Sequence, residues 1–107
     1  MRTVRWSKEA RDGQREWLDL LEQQDPRLTD RALAESEALS LKLGDHPFRY
    51  RPSRWRGFRE ASLLRWRKVV VFQVLPDEVV IVSFYDARQD LAAVQPKSDS
   101  NQDAFHL

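Results

Sequence analysis

The chain has 107 residues, no cysteine, 41% hydrophobic and 33% charged residues, and a formal net charge of +1. That size and balance fit one small domain with a single core and exclude a disulfide framework. The amino-terminal "MRTVRWSKEARDG" has no signal-type apolar run, and "VVVF" and "VVIV", the longest apolar stretches, are far too short to cross a bilayer, so a cytoplasmic location is expected.

"TVRW", Thr3–Trp6, alternates polar and apolar residues and predicts a short strand. Ser7 then stands where a helix N-cap belongs, ahead of "KEARDGQREWLDLLEQQ". In that helix Ala10, Trp17 and Leu21, widened by Leu18 and Leu20, share one face, while Arg11, Arg15, Glu16 and Glu22 take the other. Gly13 weakens it by ~1 kcal/mol relative to alanine. Asp25 can cap a second helix and Pro26 suits its first position; Leu28, Ala32, Leu39 and Leu43 mark its apolar face, and it ends near Gly44. So short a connection predicts an antiparallel helical hairpin.

"DHPFRYRPSRWRG", residues 45–57, has no helical stripe and no clean alternation, and reads as a long surface loop of the functional kind, its aromatics arguing against disorder. "FREASLLR" (Phe58–Arg65), "KVVVFQVL" and "EVVIVSFY" predict a three-stranded meander, its last two strands joined at Pro76–Asp77. Those two strands are apolar on both faces, so they are expected at the centre of the sheet, covered on one side by the helices and on the other by the tail or another chain. Residues 92–107 read as a polar, flexible tail with a sticky end at Phe105 and Leu107. The order β-α-α-β-β-β describes an α+β domain over residues 1–91, a helical hairpin packed on one face of a small, mainly antiparallel sheet.

Charge is distributed unevenly. Residues 49–68 carry eight Lys/Arg against one acid, Glu60; residues 1–48 carry eight against ten, and residues 69–107 two against six. A basic island between neutral or acidic flanks is a footprint for a polyanion or an acidic protein surface, whereas a merely solvated face would intersperse acids. Arg54, Arg56, Arg59, Arg65, Arg67 and Lys68 are expected to attract the target, and Trp55 and Trp66 to stack on bases or anchor a protein contact, all on one exposed patch. Trp6 and Trp17 lie on apolar stripes and are expected in the core. His46 and His106 have no recognisable partner, no His pair falls at helical spacing, and neither a metal nor another cofactor is expected.

A first strand ending in Trp6-Ser7 with Glu9-Ala10 behind it, a hairpin turned by "DP", an arginine-rich loop leading to "FRE", a hydrophobic strand pair and a closing "SFYDARQDL" together resemble the RelE/ParE superfamily of bacterial type II toxins, over roughly residues 3–91. "YDARQDL" is the most specific piece. The resemblance implies one of two activities: ribosome-dependent mRNA cleavage, as in RelE-like toxins, or inhibition of DNA gyrase, as in ParE-like ones. For a metal-independent nuclease it implies Tyr85, Arg88 and Arg59 as catalytic residues, with Tyr85 serving as acid or base if nearby arginines lower its pKa from about 10. The arginine such nucleases use for phosphate falls on Val69, and a shift of one position to Arg67 or Lys68 does not simply replace it, because neighbours on a strand face opposite ways. The incomplete set favours the gyrase-directed branch over the nuclease, with a non-toxic binding module as the third reading. The resemblance also implies a cognate antitoxin in a hetero-oligomer. Strands apolar on both faces and the Trp-Leu helical stripe offer more apolar surface than two helices cover, so the antitoxin is expected to contact Trp17, Leu21 and the outer face of the sheet; no membrane partner is expected.

Overall fold

Two capping residues place the helices in the computed structural model, which describes residues 1–89. Ser7 Oγ accepts the Ala10 N–H at 3.1 Å and opens α1 (Lys8–Gln24). The Ser7 N–H meanwhile donates to the Ile81 carbonyl at 2.8 Å, tying the start of the helix to the sheet. Asp25 ends α1 by donating its N–H to the Leu21 carbonyl, and opens α2 (Pro26–Asp45) by accepting the Arg27 N–H on its carboxylate. One residue therefore caps both helices, and the predicted hairpin forms without an intervening loop.

The four strands are β1 (Thr3–Trp6), β2 (Arg59–Leu63), β3 (Lys68–Val74) and β4 (Glu78–Asp86), in the order β1-β4-β3-β2. β1 runs parallel to β4 and the other pairs are antiparallel, giving the mainly antiparallel α+β architecture expected. β2 is shorter than the Phe58–Arg65 strand read from sequence. A 3-10 turn at Leu64–Trp66 ends it, and Arg67, at φ 55° in the left-handed region, returns the chain into β3.

The segment read as a long irregular loop is ordered. It begins with a 3-10 turn at Pro47–Arg49, and Arg51–Ser53 then run back beside β2: Glu60 donates its N–H to the Arg51 carbonyl at 3.0 Å, and Ser53 donates to Phe58 at 2.9 Å. These main-chain bonds extend the sheet edge and fix the direction of the arginines between them.

On the helix side, Ala61, Leu63, Val70, Phe72, Val79, Ile81 and Phe84 meet Ala10, Trp17, Leu21, Ala32 and Leu43. The opposite face holds Val69, Val71, Val80, Val82 and Tyr85, with Trp55, Phe58 and Leu75 packed against them. Part of the cover expected from a tail or partner thus comes from the loop itself. The expected tail, with Phe105 and Leu107 at its end, and His106 lie outside the described residues.

A bulge decides which way the end of β4 points. Val71 pairs with Ser83, but Phe72 pairs with Ile81, leaving Val82 as an extra residue in β4. Val79 and Ile81 face the helices, and strict alternation would send Ser83 and Tyr85 the same way. The extra residue reverses the parity, so Phe84 joins the helix-side core and Tyr85 turns to the opposite face.

Candidate functional site

The eight side chains expected on one patch divide between the two ends of β2, separated by roughly 16 Å of strand. Arg54, Trp55, Arg56 and Arg59 lie at its start; Arg65, Trp66, Arg67 and Lys68 lie at its end. A sequence cluster became two spatial groups because the strand between them is extended.

The first group keeps its charge available. Arg54 is exposed, its guanidinium 5.7 Å from the Trp55 ring centroid, and Arg56 is exposed as well. Arg59 is half-buried, donates Nη1 to the Tyr50 carbonyl at 2.7 Å and stands 5.2 Å from the Phe48 centroid. None of the three has a carboxylate partner among the described residues, since Glu60, the one acid of the basic segment, is held by Arg51 at 2.9 Å. Trp55 is half-buried rather than fully presented: its ring stands edge-on to Tyr85 at 6.2 Å, and Ser53 Oγ accepts its N–H.

Acids and the core take up most of the second group. Arg65 pairs with Glu35 of α2 at 3.7 Å. Lys68 pairs with Asp86 at 3.3 Å, its ammonium 5.7 Å from the Trp17 ring centroid, and its side chain is only 15% exposed. Trp66 corrects the sequence reading most clearly. It is half-buried, packed against the helix-side core and edge-on to Trp17 at 5.6 Å, with its indole N–H buried, so its ring is turned largely to the core and is not freely presented to a target. Arg67 alone of this group is exposed and without a carboxylate partner among the described residues.

The three residues expected to act together in a nuclease are not brought together. Tyr85 is 8% exposed on the face opposite the helices, and Arg59 shares the helix-side parity of Ala61 and Leu63. The register places Tyr85 beside Val69, which pairs with Ser62, so Arg59 lies roughly 10 Å further along the sheet as well as on its other side. Arg88 is spent on Asp86, donating Nη2 at 3.0 Å and Nε at 3.1 Å. These bonds, joined by the Arg88 main-chain N–H and Lys68, hold the Asp86 carboxyl well below the usual carboxylate range, and Asp86 in turn raises the Arg88 pKa.

Tyr85 itself is shifted the wrong way for a base. Burial raises its pKa above the ordinary value and the nearby Glu60 carboxylate adds to this, against smaller opposing effects of Arg51 and Arg54. Its hydroxyl stays protonated through neutral pH. Val69, where a phosphate-holding cation would stand, is 6% exposed and apolar on the same face.

Trp17 and Leu21, expected to meet an antitoxin, are 7% and 8% exposed and packed inward, because α1 turns its apolar stripe onto the sheet. They belong to the core and are not a docking surface in this fold. Trp6, expected in the core, is half-buried, donating Nε1 to Ser40 Oγ at 3.2 Å and lying beneath the Arg11 guanidinium. It lines a groove of about 330 Å³ between β1 and α2, together with Val4, Leu41, Arg11 and Glu37. Leu41 is 64% exposed there. Sequence reasoning missed this groove, because Leu41 sits off the inward stripe and its closeness to β1 depends on long-range packing.

Among the described residues no three His, Cys, Asp or Glu side chains gather as a metal site requires, and no helix is long and apolar enough to cross a membrane. No family model matches the sequence, and no curated protein does. Among solved structures the chain is similar to one from the "Chromosomal ParDE TA system from P. aeruginosa", with a TM-score of 0.74 and 21% sequence identity, covering 82% of this chain and 98% of that chain. The two-helix, four-strand α+β fold is shared with this neighbour.

Proposed function

We propose that this chain, sharing the fold of a ParDE-system protein, is the toxin of a type II toxin–antitoxin pair and acts in the cytoplasm as a ParE-like inhibitor of DNA gyrase. The supporting observation is the sheet face around Tyr85. A metal-independent RNA cleavage needs a general base, a general acid and a fixed cation at the phosphate. That face offers Val69 and a buried, protonated phenol instead. A gyrase inhibitor needs none of these, only a surface that engages the enzyme, and the exposed Arg54 and Arg56 beside Trp55 provide a cationic one.

Supercoiling and cleavage assays with purified gyrase are expected to show inhibition or trapped breaks. Codon-phased cuts of translated mRNA, read by primer extension, would reassign the chain to the nuclease branch, and silence in both assays would leave a non-toxic binding module. Tyr85→Phe sharpens the distinction. Removing only a hydroxyl that does no acid–base work is expected to change gyrase inhibition less than about twofold, whereas loss of a catalytic acid or base costs roughly 10²–10⁴.

The antitoxin on this reading docks in the β1–α2 groove rather than on Trp17 and Leu21. Its occupant would be an amphipathic segment that covers Trp6 and Leu41 and meets Arg11 with acidic side chains. Leu41→Glu is expected to weaken the toxin–antitoxin complex at least tenfold by calorimetry while leaving thermal unfolding unchanged, since that side chain already faces solvent. An unchanged affinity would place the antitoxin elsewhere.

A further inference from the structure

Two guanidinium groups converge on one exposed ring at the end of the sheet where β2 and β4 begin. Arg2 and Arg59 each stand 5.2 Å from the centroid of Phe48, which is 60% exposed. Both are pinned by main-chain carbonyls: Arg2 Nε donates to Leu75 at 3.0 Å and Arg59 Nη1 to Tyr50 at 2.7 Å. Neither has a carboxylate partner among the described residues, in contrast to Arg51, Arg65 and Arg88. Each guanidinium carries five N–H donors, so a single carbonyl leaves both with open donors. Beside them lies a cavity of about 270 Å³, lined by Phe48, Pro52, Gly57, Phe58, Arg59 and Val74.

We propose that this cavity is a nucleotide site, taking an aromatic base against Phe48 and Phe58 and a phosphate on Arg59 and Arg2. The two halves of the site call for different chemistry. Phenyl rings and a guanidinium plane offer stacking surface to a flat heterocycle, while guanidinium forks match phosphate oxygens in pairs. A carboxylate-bearing peptide or inorganic phosphate would use the arginines and leave the apolar wall wet. A nucleoside would fill the wall and leave the arginines unpaired. Only a ring joined to a phosphate ester uses both. The volume lies just under the roughly 300–1,000 Å³ of sites for drug-sized ligands, which limits the occupant to about one nucleotide. That nucleotide is either free or the end of a strand, and Arg49 and Arg56, exposed in the same segment, are placed to meet further phosphates.

The test is a ¹⁵N NMR titration of the full chain with AMP, adenosine, inorganic phosphate, and a short DNA strand with and without a 5′-phosphate. AMP is expected to shift the amides of Gly57, Phe58 and Arg59 at concentrations at least tenfold lower than adenosine or phosphate require. Phe48→Ala and Arg2→Gln are each expected to weaken AMP about tenfold; Phe48 is solvent-facing, so its loss does not threaten the fold. Leu64→Ala, at the far end of β2, should leave binding unchanged. A phosphorylated strand that outcompetes AMP identifies a strand end as the occupant, and the reverse order identifies a free nucleotide. If phosphate saturates the same amides as readily as AMP and Phe48→Ala is silent, the site is a bare anion patch and the proposal falls; it falls equally if no ligand moves Gly57. The site is independent of the toxin reading: gyrase inhibition without AMP binding sinks this site alone, and AMP binding without gyrase inhibition sinks only the other.

Discussion

Arg54→Glu combined with Arg56→Glu is expected to weaken gyrase inhibition at least a hundredfold and to relieve growth arrest on induction of the lone chain. Each replacement removes one positive and adds one negative charge, which takes the formal net charge from +1 to −3 and concentrates the whole change at the start of β2. Both side chains are exposed and neither is tied to a carboxylate among the described residues, so the fold loses no ion pair when they are reversed. Electrostatic steering alone accounts for roughly 10–10³ in association rate, and like-charge contacts in the complex add to that loss. Arg59 is the less informative target, because its hydrogen bond to Tyr50 gives it a structural role. Arg65→Glu is the control. That arginine already faces Glu35 at 3.7 Å, so its charge is partly neutralised and its reversal should cost the inhibition far less. Inhibitory concentrations in the supercoiling assay decide the matter, and equal losses for the two variants would show that net charge, not this surface, governs the effect.

Gly13→Val is expected to destabilise the domain by about 2–3 kcal/mol, at the upper end of the cost of overpacking. Helix propensity by itself points the other way, since almost any residue is preferred over glycine in a helix interior. The tertiary contact reverses that sign. A Cβ at position 13 would lie 2.9 Å from the Phe84 carbonyl oxygen, a main-chain atom of a central strand that cannot rotate aside. Relief requires α1 to lift from β4, which loosens Trp17 and Leu21 against the sheet. In a domain of this size the cost corresponds to a fall in Tm of roughly 10–20 °C, measurable by calorimetry. A rise in Tm would mean that helix propensity outweighs the contact and that the helix–sheet distance is not set there.

Local signals explain what was legible before folding. Ser7 and Asp25 mark helix ends through bonds made within four residues, Pro26 does so through its fixed φ, and "KVVVFQVL" and "EVVIVSFY" carry their strand identity in composition. The end of the Phe58–Arg65 strand was misjudged because "LLR" alternates acceptably, while the turn closes on Arg67, a residue type with no preference for the left-handed region. The bulge at Val82 was equally silent, since an inserted valine in a valine-rich strand leaves no trace in the pattern. That silence matters for function, because the bulge is what puts Tyr85 on the face away from the helices instead of on the side of Val79 and Ile81.

The amino-acid order alone was sufficient for the β-α-α-β-β-β succession, the hairpin and the presence of a concentrated positive segment, because these depend on neighbours along the chain. Which of those cations remain available was decided only in three dimensions. Glu35, Glu60 and Asp86 lie 30, 9 and 18 positions from Arg65, Arg51 and Lys68, and only helix packing and strand register bring each acid to its base. The same long-range packing swallowed Trp17 and Leu21, turned Trp66 largely to the core, and left Arg54, Arg56 and the Phe48 corner facing solvent.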